Sequence, residues 1–423
     1  MSDETVLTNA RVVTEAEVFG GTVIVRGGRI AAVGRGRSGL AAAQDLEGDL
    51  LIPGLVDVHT DNLERHMMPR PGVRWSARAA LLAHDAQVAA AGVTTVLDAL
   101  CVGEVEHADQ RDQMFREGVA ELRALGPRGL LRAEHFLHLR CEISVATMLA
   151  SFETVAEDPL VRMVSLMDHT PGVGQFADVE RYVKKNARNL GMNETEARAY
   201  VVRRRETRDR VRDANRDAIL ARLAGRDVAL ASHDDRTEAE VAAWHDAGLT
   251  ISEFPVSLEA AAAAKARRMS VIAGGPNIVR GGSHSGNVAA AELVARALVD
   301  VFASDYVPAS MLASAFLLRD RHGIALPAAI ATVSAAPARV VGLADRGAIA
   351  PGLRADLVVL DGAHPMLAGR EGGAIADTLV FGPARDLVRD VLVAGRFVVR
   401  DRHHDNEGSI AGRFAATMRR LLG

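Results

Sequence analysis

Residues 51–72 read LIPGLVDVHTDNLERHMMPRPG, a run that starts as a buried strand and ends among ligands. From Leu51 to Val58 the segment is apolar except for Asp57. Within a dozen positions it then meets His59, Asp61, Asn62, Glu64, Arg65, His66 and Arg70. A core strand that finishes in groups wanting water, protons or a cation needs an architecture in which the ends of strands form a working surface.

Reading outward supplies one. Short apolar runs alternate with helical patterns, and strands are expected at Leu55–His59, Thr94–Ala99, Leu130–Leu139, Val161–Asp168, Val228–Ser232, Thr250–Glu253, Ser270–Ala273 and Val301–Ser304. Helical stretches between them, such as RAALLAHDAQVAAAG (78–92) and EAEVAAWHDAG (238–248), close on glycine as a helix C-cap does. Eight β/α alternations fit an α/β protein built on a closed (β/α)₈ barrel, with an open doubly wound sheet as the structural rival. The two chain ends differ from this middle. TVLTNARVVTEAEVFGGTVIVRGGRIAAVGRG (5–36), GAIAPGLRADLVVLDG (347–362) and VRDVLVAGRFVVRD (388–401) carry short β-rich runs with Gly pairs at hairpin positions. Residues 1–53 and 347–423 are therefore expected to share one small β-sandwich, with the barrel over 54–346. A charged, arginine-rich helical insertion spans about 178–223. It reads as a solvated face, or as a lid or subunit contact offering arginine to an anion.

Composition removes several functions. The net charge of −4 gives no general basic surface for nucleic acid. No run approaches the roughly 18 unbroken apolar residues of a membrane span. Cys101 and Cys141 lie in unrelated surroundings, which reads as a reduced, cytoplasmic protein, and the acidic start lacks a secretory leader pattern. Of the 50 basic residues only Lys184, Lys185 and Lys265 are lysines, none within an expected strand.

In a (β/α)₈ barrel the site forms at the carboxyl ends of the strands. The first offers His59 and Asp61, two residues apart and so on one face of an extended segment. The third offers His135, His138, Arg140 and Glu142, and the fourth Asp168 and His169. The fifth offers His233, Asp234 and Asp235, and the eighth Asp305. One such histidine is commonly structural, but four strands ending in His or Asp converge as divalent-metal donors do. A divalent cation acidifies water and offsets charge that builds up during attack, and Asp305 is placed to take the proton. With no lysine available as a bridge, Glu142 is the best substitute, against the plainer reading of a surface carboxylate paired with Arg140. After the seventh strand, GGPNIVRGGSHSGN (274–287) precedes a strongly helical run. Its Asn277, Arg280, Gly282, Ser283, His284 and Ser285 can present donors and a helix N-terminus to an anion, although a Gly-rich turn alone is a weak signal. Arg65, His66, Arg70 and Arg74 crowd the first loop, and with Arg140 they suit a polyanion.

Taken together, PGLVDVHTDNLERHMMPRPGVRW (53–75), LHLRCEI (137–143), SLMDHTPG (165–172), GGPNIVRGGSHSGN and ASDYVPASML (303–312) resemble the amidohydrolase superfamily, in particular its phosphonate-degrading branch. That resemblance implies a metal-dependent barrel with a composite β domain, one or two ions of zinc, manganese or magnesium, and hydrolysis of a sugar 5-triphosphate with loss of pyrophosphate. It also implies ligand roles for His59, Asp61, Glu142, His169, His233 and Asp305, with Asp305 as the catalytic acid–base group. The superfamily usually supplies histidines from the fifth and sixth strands, whereas here His169 follows the fourth and the sixth ends in Glu253, a reserve ligand. The expected partner is a small sugar triphosphate, with no nucleic acid or membrane and with a homo-oligomer as an option. An amidohydrolase acting on a C–N bond needs the same core but has little use for the arginines. A catalytically silent scaffold is disfavoured by the full set of ligands.

Overall fold

A computed structural model of the chain describes residues 4–70, 72–103, 108–190, 192–283, 286–364, 384–404 and 419. Eight parallel strands follow one another around a sheet in sequence order: Leu55–Thr60, Val93–Val102, Glu134–Glu142, Val161–Met167, Ala229–His233, Ile251–Glu253, Ser270–Gly274 and Val301–Ala303. The last closes on the first through a parallel bridge from Thr60 to Asp305. All eight expected strands are present, and the closed form prevails over the open sheet. The third runs later than expected, at Glu134–Glu142 rather than Leu130–Leu139, so Arg140 and Glu142 belong to the strand itself.

The barrel is a packed core. Val56, Val58, Leu97, Met163, Ala231, Ile251, Ile272 and Val301 fill its interior, and the helix Ala335–Val340 closes the bottom with Ala338. Burying strands on both faces requires apolar residues of both parities, which is why these segments read as continuous runs. The outer helices obey their local signals. Ala77–Ala90 ends before Gly92, whose φ is +85°, and Glu238–Asp246 starts in a Thr237/Glu240 capping box. The insertion forms Val179–Leu190 and the 30-residue helix Glu194–Leu223, which an Asn193/Glu196 capping box opens. No helix among the described residues is long and apolar enough to cross a membrane.

Both chain ends contribute to one continuous nine-strand sheet rather than two separate ones. One face packs on the barrel through Leu50, Ile52, Val358 and Val391. The other gathers Leu7, Val12, Val23, Ile30, Leu357 and Leu392 into a core of its own, the packing expected of a sandwich. Gly54 joins this sheet to the first barrel strand. A Cβ there would lie 2.2 Å from Thr94 Oγ1, so only glycine permits the junction.

Candidate active site at the barrel mouth

His59, in the first strand, and Asp61, at the N-cap of the helix Asn62–Met67 just past the strand's end, come to the mouth together, although the strand's register is irregular between Asp57 and Thr60. His59 Nε2 is 3.5 Å from Asp61 Oδ1, and with Asp305 they form one group of converging donors. His169, His233 and Asp234 form a second, in which Asp234 Oδ2 lies 3.5 Å from His169 Nε2 and 3.7 Å from His233 Nε2. The His59 and His233 rings are stacked with centroids 6.1 Å apart, so the two groups adjoin. The strand count stands: His169 follows the fourth strand, and Glu253 ends the sixth.

Glu253, which also lies with His59 and His138 in a buried group of donors, is taken up by hydrogen bonds. Fully buried, it accepts from His59 Nδ1 through Oε1 and from His233 Nδ1 through Oε2, each at 2.7 Å. Both imidazoles are thereby fixed with the proton on Nδ1 and the Nε2 lone pair turned outward, the usual arrangement behind a metal-ligating histidine. Glu142 does the same for His169 and does not join the converging donors. Its Oε2 lies 2.9 Å from His169 Nδ1, while Oε1 accepts from the His169 N–H at 3.0 Å and from Ser144 Oγ. The plainer pairing of Glu142 with Arg140 is not formed either, because Arg140 Nη1 donates to Asp61 Oδ1 at 2.6 Å.

The electrostatics describe a place that wants positive charge. Burial alone would drive the His59 imidazole down, but the carboxylates of Glu253 and Asp61 outweigh it and hold the ring at about 10. His169 is likewise pressed down by burial and held up at about 10 by Glu142 and Asp234. Burial would raise Asp61, yet Arg140 and then His59 keep it well below the usual carboxylate range. Burial and the neighbouring Asp61 charge push Asp305 up to about 7. His169 Nε2 and Asp234 Oδ2 are buried without a hydrogen-bond partner. Unpartnered nitrogen and oxygen atoms facing one another, with imidazoles held protonated by carboxylates around them, are the donor set a divalent cation takes, displacing those protons. The residues fit the metal that the fold implies.

Strand parity separates the other histidines. His138 faces the barrel interior, where burial pushes its ring down to about 3; Nδ1 bonds the Val58 carbonyl at 3.1 Å and Nε2 meets Ser165 Oγ at 2.9 Å. His135 faces outward, away from the mouth, and binds Asp98 Oδ2 at 2.8 Å beneath the helix Ala77–Ala90. Asp234 was quoted in the sequence but given no role. Its left-handed backbone (φ +57°), shared with Asp305 (φ +56°), lets consecutive residues His233 and Asp234 both address the site.

A cavity of about 340 Å³ opens over His59, Asp61, Arg140, His233, Asp234 and Asp305, and Asn277, Arg280, Gly282 and Ser283 line its far side. The strong helix expected after that loop is only the six-residue Ala290–Ala295, and a second short helix, Gly275–Arg280, lies within the loop itself; both are too short to supply a useful dipole. Asn277 fastens the loop, accepting from Ala290 N at 2.9 Å and donating to the Val288 carbonyl at 3.2 Å; Gly282 N–H donates to the Asn277 carbonyl at 2.9 Å. Arg280 and Ser283 line the cavity on this side. His284 and Ser285 lie outside the described residues. Arg65 and His66 line a neighbouring cavity, Arg70 sits exposed in a bridge with Val73, and Arg74 is paired with Glu117. Three of the insertion's arginines reach inward: Arg208 and Arg212 both grip Asp168, and Arg205 donates to the Pro171 carbonyl, which braces the His169 segment, while others, such as Arg198 and Arg203, are exposed.

Residues 162–399 match the amidohydrolase family. Over 356 residues the chain is 43% identical to α-D-ribose 1-methylphosphonate 5-triphosphate diphosphatase of Escherichia coli (strain K12), covering 84% of this chain and 94% of that one. A shorter stretch of 76 residues is 47% identical to formimidoylglutamate deiminase of Pseudomonas aeruginosa, covering 18% and 17% of the two chains. Among solved structures, N-acetyl-D-glucosamine-6-phosphate deacetylase from Mycobacterium smegmatis superposes with a TM-score of 0.60 at 20% identity, over 93% of this chain and all of that one. N-isopropylammelide isopropylaminohydrolase from Burkholderia multivorans does so with 0.60 at 19%, over 96% and all. These structural likenesses concern the fold.

Proposed function

The chain belongs to the amidohydrolase family, and on that premise we propose that it hydrolyses α-D-ribose 1-methylphosphonate 5-triphosphate, releasing pyrophosphate and leaving ribose 1-methylphosphonate 5-phosphate. The observation that carries this reading is the near full-length match to the Escherichia coli diphosphatase. Arg140 and Arg280 around the converging donors agree with it, because three phosphates require more fixed positive charge than a neutral amide would.

In this reading His59, Asp61 and Asp305 hold one divalent ion and His169, His233 and Asp234 a second, of zinc, manganese or magnesium. When bound, such ions acidify water and draw charge from phosphoryl oxygens. Glu253 and Glu142 keep three imidazoles in the one tautomer that can ligate. Asp305 takes the proton of the attacking water on its carboxylate as the new bond to the α-phosphorus forms and the bond to the bridging oxygen of the leaving pyrophosphate breaks. Arg140, Arg280 and Ser283 meet the non-bridging oxygens, and the apolar Phe254, Ile272 and Leu293 wall off bulk water. Phosphorus NMR of a metal-reconstituted turnover tests this. Pyrophosphate appearing with the 5-phosphate is expected; orthophosphate would move the point of attack, and cleavage of an amide alone would sink the reading.

A further inference from the structure

A second cavity, of about 650 Å³, lies beside the first and shares one wall with it, Tyr306. Asn62, Arg65, His66, Trp75 and Gln87 supply its chemistry. Two of its residues are the chain neighbours of the site's carboxylates, since Asn62 follows Asp61 and Tyr306 follows Asp305. A molecule reacting at the donors therefore has this space directly to one side and the Arg280 loop to the other.

We propose that the second cavity receives the methylphosphonoribosyl end of the substrate, so that pyrophosphate leaves on the Arg280 side of Tyr306 and the sugar on the Trp75 side. The assignment rests on the triphosphate substrate proposed above and divides it between two places. Its argument is the kind of group each wall offers. His66 Nδ1 lies 2.8 Å from the Asn62 carbonyl, which can only accept, so the proton is on Nδ1 and Nε2 carries a lone pair. Burial holds this ring down from its ordinary value and keeps it neutral. A lone pair accepts from a sugar hydroxyl but faces a deprotonated phosphate oxygen unfavourably. Gln87 Oε1 accepts from Asn62 Nδ2 at 2.9 Å, which leaves its NH₂ as a donor. Acceptor and donor side by side suit a diol.

The remaining two groups match the rest of that end. Trp75 is 61% exposed, a large flat apolar face left in water against which the C–H face of a furanose can lie. Arg65 stacks over the Tyr306 ring at 5.1 Å and has no ion-pair partner among the described residues, so its charge is available to one phosphonate anion. The floor is rigid. Asn62 Nδ2 also meets His84 Nδ1 at 2.9 Å, His84 Nε2 meets Asp98 Oδ1 at 2.7 Å, and Asp98 is held in turn by His135. This buried chain fixes Asn62, and through it both His66 and Gln87, before any ligand arrives.

The test is calorimetric binding of inorganic pyrophosphate and of ribose 1-methylphosphonate 5-phosphate to the metal-loaded protein, which reads out whether or not turnover occurs. For Arg65→Ala, a loss of about 10-fold or more is expected for the ribose compound, as for other hydrogen-bonded charges, with pyrophosphate binding within about twofold. Arg280→Ala is expected to do the reverse, and Trp75→Ala to follow Arg65→Ala. Both arginines and Trp75 are exposed, so folding is not at stake. Equal losses for the two ligands, a reversed pattern, or no binding of the ribose compound to the wild type would overturn the assignment. Release of orthophosphate by the wild type would instead overturn the reading on which it rests, leaving the two binding patterns to be judged separately.

Discussion

Replacing Glu253 by Gln tests the most economical device in the site. One buried carboxylate holds two histidines from different strands, each through a 2.7 Å bond to Nδ1. The amide keeps one oxygen and presents NH₂ in place of the other. One histidine retains its acceptor, through a neutral rather than charged bond. The other now faces a donor, so its proton moves to Nε2 and that atom can no longer ligate. Outer-shell partners of metal-bound histidine are worth about 10- to 100-fold each in metal affinity, and here one residue serves two, so a loss of about 100- to 1,000-fold is expected, or about 3–4 kcal/mol. The assay is titration of chelator-stripped protein with zinc or manganese against a chromophoric competitor, with circular dichroism to check the fold. Glu253→Asp, one methylene shorter, should keep one histidine and lose about 10- to 100-fold. A dissociation constant for Glu253→Gln within about threefold of wild type would refute the tautomer argument.

Asp305→Asn should lower kcat by about 10²- to 10⁴-fold with the fold and most of the metal retained, and ordinary turnover in that variant removes Asp305 as the proton acceptor. Arg280→Ala should raise KM for the triphosphate while metal affinity stays put; equal loss of both would count against a phosphate contact. The His135 ring, lowered by burial but held up at about 10 chiefly by Asp98 and Asp85, lies above its unfolded value of about 6.5. Its stabilisation is therefore complete below about pH 6.5 and lost as pH rises through about 10. Urea midpoints should fall over that window in the wild type and less steeply in His135→Gln, and parallel slopes would dismiss the pairing. Asp168→Asn should cost about 1–3 kcal/mol and expose the helix Glu194–Leu223 to limited proteolysis, because Arg208 and Arg212 lose their shared anchor; an unchanged digestion pattern would return those arginines to solvent.

Much of the fold was legible because its signals are local. Apolar runs of strand length and the glycines after Ala77–Ala90 and after Glu238–Asp246 need no distant information. The third strand was set too early because Leu130 and Leu131 look like strand residues, yet they lead into the strand from a turn that begins at Gly126. Within the site, His59 and Asp61 were legible because both sit where the first strand ends, although Asp61 reaches the mouth from the N-cap of the helix Asn62–Met67 rather than through strand alternation. The role of Glu253 was not, since its partners lie 194 and 20 residues away and acidity alone suggests a ligand. Glu142 was misread for the same reason. Asp234 was hidden because a left-handed backbone turns a neighbour that alternation would send elsewhere. The run after Ser283 has good helix formers, but Ala297 at φ +54° lies just beyond a helix that closes at Ala295.

The junction at Gly54 also bears on how the chain is made. Leu50–Pro53 pairs with Leu357–Leu360, roughly 300 residues later, and the first barrel strand begins one residue beyond it. At about 5–20 residues per second a ribosome needs about 15–60 s to deliver that partner. During this interval Leu50–Pro53 has one edge open, next to a strand whose own closing neighbour, Val301–Ala303, is still unmade. An apolar strand edge left bare for that long is a template for pairing with other chains. Growing chains of this protein are expected to need holding factors, and messages cut short before codon 357 should yield insoluble product even when every metal donor has been translated.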